Sequence, residues 1–241
     1  GLCQGEGRGQ TVVAAAMKKM KPHALMAAVG DSIPLTLAIA AVASAMREGG
    51  VAERGTVTYG ALYAGAFDAF LSGLRWLQTT RWPRLRVVPR FAAERDPSRR
   101  RVLRTTESYG RIYRSARGAA TKEPGRIDIL TSTPECRRFS IGAMLSGMEA
   151  ITRQLRAKNA MYRSTRNLVL AVRRLRPKVV IVEQVTGAVT HHRTLATQIS
   201  MLRCACPKYV WSGTIVDASA LRSPHRRRRL IVVGVVSQAA A

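Results

Sequence analysis

The sequence predicts an α/β protein with a doubly wound, mostly parallel sheet and helices on both faces. Segments rich in β-branched and other apolar residues alternate with segments that have helical periodicity. The segment "PKVVIVEQV" at 177–185 is apolar through its middle, as is typical of a parallel strand buried on both faces. In such a sheet, ligands bind at the carboxyl ends of the strands.

The predicted elements begin at residue 56. Strands are predicted at 56–65, 86–94, 126–132, 177–185, 208–218 and 229–236, and helices at 68–78, 96–110, 144–175 and 191–205. Asp96 followed by Pro97 is typical of a helix start, because aspartate caps the first amide groups and proline is tolerated in the first turn.

Four predicted strand ends carry residues suited to a ligand site. The turn "YAG" at 63–65 lets backbone approach a ligand closely, since glycine has no side chain. Glu94 ends the next strand, a position from which carboxylates bind ribose hydroxyls in nucleotide-binding folds. Cys136 follows a third strand, and Glu183 lies near the end of a fourth. The parallel order predicts that these groups converge at one edge.

The charge balance points to a polyanionic partner. Lys and Arg number 40 against 14 Asp and Glu, a formal net charge of +26. Such an excess disfavours the compact state unless an anion offsets it, and nucleic acid is the commonest polyanion. A generally basic enzyme is the alternative. Aromatic residues make up 5% of the chain, which does not favour a stacking platform for single strands.

Four cysteines are too few and too unevenly spaced for a disulfide framework, so an intracellular, reducing compartment is expected. Cys204 and Cys206 lack a second pair at ligand spacing, so no metal site is predicted. The apolar stretch 24–46 is interrupted by Gly30, Asp31 and Pro34, and therefore predicts a helix beginning near the proline rather than a membrane span.

Four segments then occur in a fixed order: "LYAGAFDAFLSGL" (62–74), "TPECRRFS" (133–140), "PKVVIVEQV" (177–185) and "SPHRRRRLIVVG" (223–234). They resemble, in that order, the Phe-Ala-Gly-x-Gly-Gly loop, the Pro-Cys nucleophile, the Glu-Asn-Val strand end and the Pro-Gln-x-Arg-x-Arg element of the cytosine-5 DNA methyltransferase family. The resemblance covers about 55–236. It implies a class I methyltransferase (Rossmann-like) fold, S-adenosylmethionine as the cofactor, and no metal.

A fifth segment, "GDSIPLTLAIAAVASAM" (30–46), resembles an element that usually ends the family's fold. Because it precedes the first strand here, the chain is similar to circularly permuted members. We expect a basic N-terminal extension at 1–23, a permuted helix at 24–50 that completes the cofactor pocket, and a catalytic domain at 51–241. The family's target recognition domain is expected to be missing, which suggests a separate recognition subunit as a partner.

The resemblance implies a role for each matched position. Catalytic roles fall to Cys136 as nucleophile on cytosine carbon 6, Glu183 at ring nitrogen 3, and Arg227 and Arg229 beside the base and the thiol. The implied cofactor-binding residues are Tyr63, Gly65, Glu94, Asp31, Ser32 and Pro134. The implied nucleic-acid-binding residues are Arg137, Arg138, Arg226 and Arg228. Simpler roles remain open: a buried thiol, a strand-end carboxylate paired with arginine, and a plain phosphate-binding patch.

Some residues depart from the family pattern. Phe67-Asp68 stands where the family has Gly-Gly, which predicts bulk and negative charge in the path of the cofactor, and Glu135 and Gln184 replace a proline and an asparagine. A second function therefore fits the sequence: a methyltransferase fold without catalysis, serving as a basic RNA- or DNA-binding component of a large ribonucleoprotein such as an organellar ribosome. The retained catalytic positions favour the enzyme.

Overall fold

The computed structural model describes residues 55–66, 68–80, 82–134, 150–186, 192–217 and 228–237. The described strands are β1 (Thr56–Leu62), β2 (Arg86–Ala93), β3 (Arg111–Tyr113), β4 (Ile129–Ser132), β5 (Val179–Val185), β6 (Tyr209–Asp217) and β7 (Arg228–Val236). The described helices are α1 (Ala69–Thr80), α2 (Pro97–Thr106), α3 (Ala116–Lys122), α4 (Ala150–Leu175) and α5 (His192–Ala205).

The strands form one seven-stranded sheet in the order β3-β2-β1-β4-β5-β7-β6. Strands β1 to β5 pair in parallel, whereas β7 is antiparallel to both β5 and β6. The chain builds outward from β1 to β3 and then returns to place β4 on the other side of β1. The topological switch point, where open α/β sheets bind ligands, therefore lies between β1 and β4.

Helices cover both faces of this sheet. Helices α1 and α2 contribute residues such as Leu74 and Leu103 to one buried apolar cluster. Helices α3, α4 and α5 contribute residues such as Ala119, Leu168 and Leu202 to a second cluster on the opposite face. The prediction of a doubly wound, mostly parallel sheet with helices on both faces is confirmed.

Strand β2 contains a bulge. Tyr59 pairs with Pro89 but the next residue, Gly60, pairs with Phe91, so Arg90 is an extra residue in β2. Proline fits here because a bulge does not require every amide group of a regular ladder. A Cβ on Gly60 would lie 2.3 Å from the Phe91 ring, so the ring occupies the space that any larger residue would need.

Each strand and helix predicted between residues 56 and 236 has a counterpart among the described residues, and some differences at the ends have local causes. The helix predicted near Pro34 and residues 144–149 of the helix predicted at 144–175 lie outside the described ranges. β1 ends at Leu62 because Tyr63 adopts a positive φ of 62° and leaves the ladder. α2 begins as predicted, with Asp96 Oδ1 accepting hydrogen bonds from Ser98 N at 2.8 Å and Arg99 N at 3.2 Å. It ends at Thr106, because Glu107 is extended.

Two elements were not predicted: the three-residue edge strand β3 and the short helix α3. β3 is too short to show a period, and its first residue is an exposed arginine. α3 does have a sequence signal, because Ser115 caps it by accepting a hydrogen bond from Gly118 N at 3.0 Å. Within the described ranges, no helix is both long and apolar enough to cross a membrane. The apolar stretch 24–46 lies outside those ranges.

Asp128 joins the amino-terminal edges of three strands. Its Oδ2 accepts hydrogen bonds from Thr58 N at 2.9 Å and Thr58 Oγ1 at 2.7 Å, and its Oδ1 lies 2.5 Å from Lys178 Nζ. Burial raises the pKa of Asp128, but the Lys178 and Thr58 hydrogen bonds together hold that pKa below its usual value.

Asp128→Asn should lower the free energy of unfolding by about 1–3 kcal/mol at pH 7, because Lys178 loses its charged acceptor. A carboxyl group with a depressed folded pKa stabilises the protein above its unfolded pKa, and this contribution disappears as the pH falls through the folded pKa. The difference in the free energy of unfolding between wild type and variant should therefore become smaller below about pH 4. Urea unfolding between pH 3 and pH 7 measures it, and an unchanged difference at pH 3 would contradict it.

Candidate active site

The sheet topology brings those of the predicted ligand-binding residues that the structure describes to one edge. The turn 63–65 follows β1, Glu94 follows β2, and Pro134 comes two residues after β4. Val182 of β5 pairs with Ser132 of β4, so Glu183 lies level with the point where the chain leaves β4 toward residue 136. The antiparallel β7 starts at this same edge and contributes Arg229. These positions surround the topological switch point.

The Glu94 carboxylate is fixed by two backbone amide groups. Gly65 N donates to Oε2 at 2.9 Å, and Asp96 N donates to Oε1 at 2.8 Å. Glu94 is 7% exposed, and Gly65 has a φ of 74°, a conformation that favours glycine. Because each carboxylate oxygen can accept more than one hydrogen bond, both retain capacity for a ligand. This group is an acceptor held in place beside a glycine turn.

Tyr63 connects the turn at 63–65 to helix α4 through a hydrogen bond. Its hydroxyl accepts a hydrogen bond from Asn167 Nδ2 of α4 at 3.1 Å, and its carbonyl accepts one from Thr133 Oγ1 at 2.7 Å. Burial raises the pKa of the Tyr63 phenol, with the Asn167 hydrogen bond acting in the other direction. Tyr63 therefore positions the turn as a neutral phenol. Asn167 carried no recognisable signal in the sequence.

Asp68 corrects an expectation from the sequence. It is 3% exposed, and its Oδ1 caps α1 by accepting hydrogen bonds from Phe70 N at 3.0 Å and Leu71 N at 3.1 Å. The hydroxyl group of Tyr59 donates to its oxygens at 2.8 and 2.9 Å, and Tyr109 also donates to Oδ2. The prediction that Asp68 places negative charge in the cofactor path is wrong, because its carboxyl group is enclosed beneath α1.

Asp68→Ala should lower the free energy of unfolding by about 2–4 kcal/mol. A helix loses its N-cap, at about 1 kcal/mol, and the buried Tyr59 hydroxyl loses an acceptor, at about 1–3 kcal/mol. Urea unfolding measures the change. Asp96→Ala is the matched control, because it removes the half-buried N-cap of α2 and should destabilise less. Equal losses in the two variants would contradict the role assigned to the buried cluster.

The Asp68 cluster also predicts a pH dependence. Burial raises the pKa of Asp68, and the hydrogen bonds from Tyr109 and Tyr59 only partly oppose this effect. Between the unfolded and folded pKa values the folded protein binds more protons, so this contribution to stability falls as the pH rises through that window.

Glu183 and Arg229 form an ion pair across β5 and β7. Arg229 Nε lies 2.7 Å from Glu183 Oε1, and their side chains are 16% and 22% exposed. Glu183 pairs with Ile231 in the antiparallel register, so Arg229 lies two residues away on the same face of the sheet. Arg228 lies on the opposite face of the sheet, with 3.4 Å between its Nε and Asp217 Oδ2. The structure thus brings together one predicted carboxylate and one predicted arginine.

Gln184 faces the second apolar cluster, opposite to Glu183. It is 2% exposed, and its Oε1 has no hydrogen-bond partner among the described residues. Pro134, two residues after the end of β4, is buried. The remaining predicted site residues lie outside the described ranges: Asp31, Ser32, Phe67, Glu135, Cys136, Arg137, Arg138, Arg226 and Arg227.

The described residues include no group of three or more His, Cys, Asp or Glu arranged to hold a metal ion. Cys204 is exposed and Cys206 is buried. Burial raises the pKa of the Cys206 thiol to about 11, against the opposing effect of Arg173. Cys206 is therefore protonated at neutral pH and packs as a small apolar side chain.

A solved structure shares this fold at low sequence identity, and weaker matches to other methyltransferases accompany it. A Listeria monocytogenes protein assigned to the class I S-adenosylmethionine-dependent methyltransferases has 10% identity and a TM-score of 0.51, over 95% of this chain and 67% of that chain. The S. pombe Dnmt2 methyltransferase has 13% identity and a TM-score of 0.48, over 75% of this chain and 50% of that chain. The Entamoeba histolytica methyltransferase EhMeth has 11% identity and a TM-score of 0.49, over 76% and 53%.

The present chain thus spans about half the length of the latter two proteins. No curated protein sequence matches it. The family described as C-5 cytosine-specific DNA methylase matches residues 68–240, which is well over half of the chain and contains Glu94, Cys136, Glu183 and the four arginines at 226–229. The chain belongs to the C-5 cytosine-specific DNA methylase family.

Proposed function

We propose that this protein transfers a methyl group to carbon 5 of cytosine in DNA, with Cys136 as the nucleophile. The observation that carries the proposal is the Glu183–Arg229 ion pair, with 2.7 Å between Nε and Oε1, at the edge where β4 leads toward Cys136. An oriented carboxyl group suits the polar edge of a pyrimidine. Membership of the cytosine-5 family supplies the substrate class.

The residues beside the switch point fit S-adenosylmethionine. The Glu94 carboxylate has acceptor capacity for ribose hydroxyls, and Gly65 allows close approach of the backbone. The enclosed position of Asp68 keeps its charge away from such a ligand. S-adenosylmethionine held at these residues would supply the methyl group. We propose Tyr63, Pro134, Asp31 and Ser32 as further contacts to the cofactor.

The reaction needs a nucleophile because carbon 5 of cytosine is a weak one. The Cys136 thiolate attacks carbon 6, and the electron pair of the 5,6 double bond moves into the ring and makes carbon 5 nucleophilic. In the complex with the base, Glu183 in its protonated form donates a hydrogen bond to ring nitrogen 3, where negative charge develops, and Arg229 orients the carboxyl group. Once carbon 5 carries the methyl group that S-adenosylmethionine would supply, it loses its proton to water. The electron pair of that C–H bond re-forms the 5,6 double bond, and sulfur leaves carbon 6 as the thiolate.

We propose two roles for the arginines that match the family pattern. Arg227 would act on the base and the thiol, where positive charge would favour the thiolate. Arg137, Arg138, Arg226 and Arg228 contact phosphates, which position the nucleic acid without reading its sequence. Because the target cytosine must reach Cys136, the base is swung out of its duplex.

Trapping with 5-fluorocytosine tests the proposal. Fluorine at carbon 5 cannot leave as a proton, so the enzyme should stay covalently attached to a duplex that contains this base. We expect a denaturant-resistant complex that requires S-adenosylmethionine, together with cofactor binding detectable by calorimetry. If no complex forms and no cofactor binds at millimolar concentration, the proposal fails. Nucleic-acid binding without either signal would favour the non-catalytic ribonucleoprotein component instead.

A further inference from the structure

The helix layer formed by α3, α4 and α5 contains no acidic residue within its helix bounds. α4 alone has seven Lys and Arg residues and no Asp or Glu over 26 residues. A solvated helix usually carries both signs of charge, because acidic residues three or four positions from basic ones stabilise it. This layer therefore has an unusual one-sided charge.

The described part of α4 separates into a buried face and an exposed face. Residues such as Leu168, Val172 and Leu175 pack into the second apolar cluster. The exposed positions recur at helical spacing along one side, which we call the α4 face: Tyr162, Arg163, Arg166, Leu170, Arg173 and Arg174. From Arg163 to Arg174 this face is about 16 Å long, at about 1.5 Å per residue.

Among the described residues, no carboxylate lies within ion-pair distance of the four arginines of the α4 face. The ion pairs between described residues involve basic side chains on other elements. Other segments of the chain do not offer a complementary charge. Residues 1–54 contain six Lys and Arg against four Asp and Glu, and residues 135–149 contain two of each. The charges of these segments therefore favour an anion on another molecule as the group that offsets the charge of the α4 face.

We propose that the α4 face binds the phosphate backbone of a nucleic acid. Arginine suits phosphate because its planar guanidinium donates two parallel hydrogen bonds. A face of about 16 Å matches about five steps of 3.4 Å along one strand. An anionic membrane fits less well, because the apolar side of α4 is buried in the core. In the described part of α4, Tyr162 and Leu170 are the only exposed large hydrophobic residues.

The α4 face provides a contact separate from the site at the carboxyl edge. α4 ends at Leu175, shortly before β5 starts at Val179, so Arg173 and Arg174 lie toward the amino-terminal edge of the sheet. The inference extends the proposed function by giving the same substrate a second contact. It does not depend on catalysis, since phosphate binding requires neither Cys136 nor the cofactor.

The test compares two triple variants of equal charge. Arg163→Gln, Arg166→Gln and Arg173→Gln together remove three charges from the α4 face. The control combines Arg84→Gln, Arg101→Gln and Arg104→Gln, which are exposed and lie elsewhere on the surface. Fluorescence anisotropy measures binding of each protein to a duplex of about 30 base pairs, without cofactor, from about 50 to 300 mM salt.

We expect the α4 variant to bind about 10- to 100-fold more weakly at 100 mM salt, with a slope of log affinity against log salt shallower by about 2 to 3. The control should lose less than about threefold, because long-range attraction is screened at this salt concentration. A third variant with lysine at positions 163, 166 and 173 keeps the charge and should retain the slope. Equal losses in the α4 variant and the control would overturn the proposal.

Vesicle binding and methyl transfer are two further measurements that distinguish a failure of this proposal from a failure of the proposed function. If binding to phosphatidylserine vesicles falls in the α4 variant while DNA binding does not, the proposal is overturned and the partner is a membrane. If the salt slope changes as expected but no methyl transfer occurs in the wild type, the α4 face is supported and the proposed function fails. Circular dichroism and thermal unfolding of each variant confirm that the compared proteins are folded.

Discussion

Replacing Cys136 with alanine should lower kcat for methyl transfer by at least about 10⁴-fold, because the activated carbon 5 forms only after a sulfur attacks carbon 6. The affinity for S-adenosylmethionine should stay within about twofold, since the proposed cofactor contacts do not include this side chain. Transfer of a radiolabelled methyl group to cytosine-containing duplexes gives the rate, and calorimetry gives the affinity. The 5-fluorocytosine complex should disappear.

The matched control is Cys204→Ala, which removes an exposed thiol from α5. It should leave both the transfer rate and the covalent complex unchanged. Cys136→Ser tests whether the reaction depends on thiolate chemistry, because a serine hydroxyl is far less acidic than a thiol. Methyl transfer by Cys136→Ala at a rate near that of the wild type would remove Cys136 from the mechanism.

Glu183→Gln should lower kcat by about 10²- to 10³-fold, because an amide stabilises charge developing at ring nitrogen 3 less well than a carboxyl group. The free energy of unfolding should change by less than about 1 kcal/mol, because the partly exposed pair with Arg229 contributes little to stability. Single-turnover transfer rates measure the chemical step, and urea unfolding measures stability.

Asp217→Asn is the control for Glu183→Gln. Asp217 also lies near an arginine at this edge, with 3.4 Å between Arg228 Nε and Asp217 Oδ2, but on the outer strand β6. Its replacement should change the transfer rate by no more than about twofold. If Glu183→Gln and Asp217→Asn have equal effects on the rate, general charge at the edge matters and the assigned role of Glu183 is wrong.

Most of the fold could be predicted from the sequence, because the buried strands are short apolar runs with clear boundaries. β5 is a run of apolar residues that begins after Pro177, and Asp96 with Pro97 marks the start of α2. The order of strands and helices then places Glu94 and Glu183 at one edge, as observed. A parallel sheet leaves few other arrangements for such a pattern.

Other features depend on long-range packing and were not predictable. The carboxyl group of Asp68 is enclosed because Tyr59 and Tyr109, which lie 9 and 41 residues away along the chain, both donate to it. Asn167 reaches Tyr63 across 104 residues. In both cases the local sequence shows a polar residue, but its hydrogen-bond partner is distant in sequence and is brought close only by the tertiary fold.

The bulge lets β2 hold one more residue than its pairing with β1 requires. Val87 packs against the first apolar cluster, yet Phe91, four residues later, packs into the second, because Arg90 is an extra residue that has no partner of its own in β1. Phe91, Ala92 and Ala93 therefore keep the faces that they would have in a regular ladder. Loss of one residue at the bulge should leave the Glu94 carboxylate beside Gly65, so this edge tolerates a change of length in β2 at the position of Arg90.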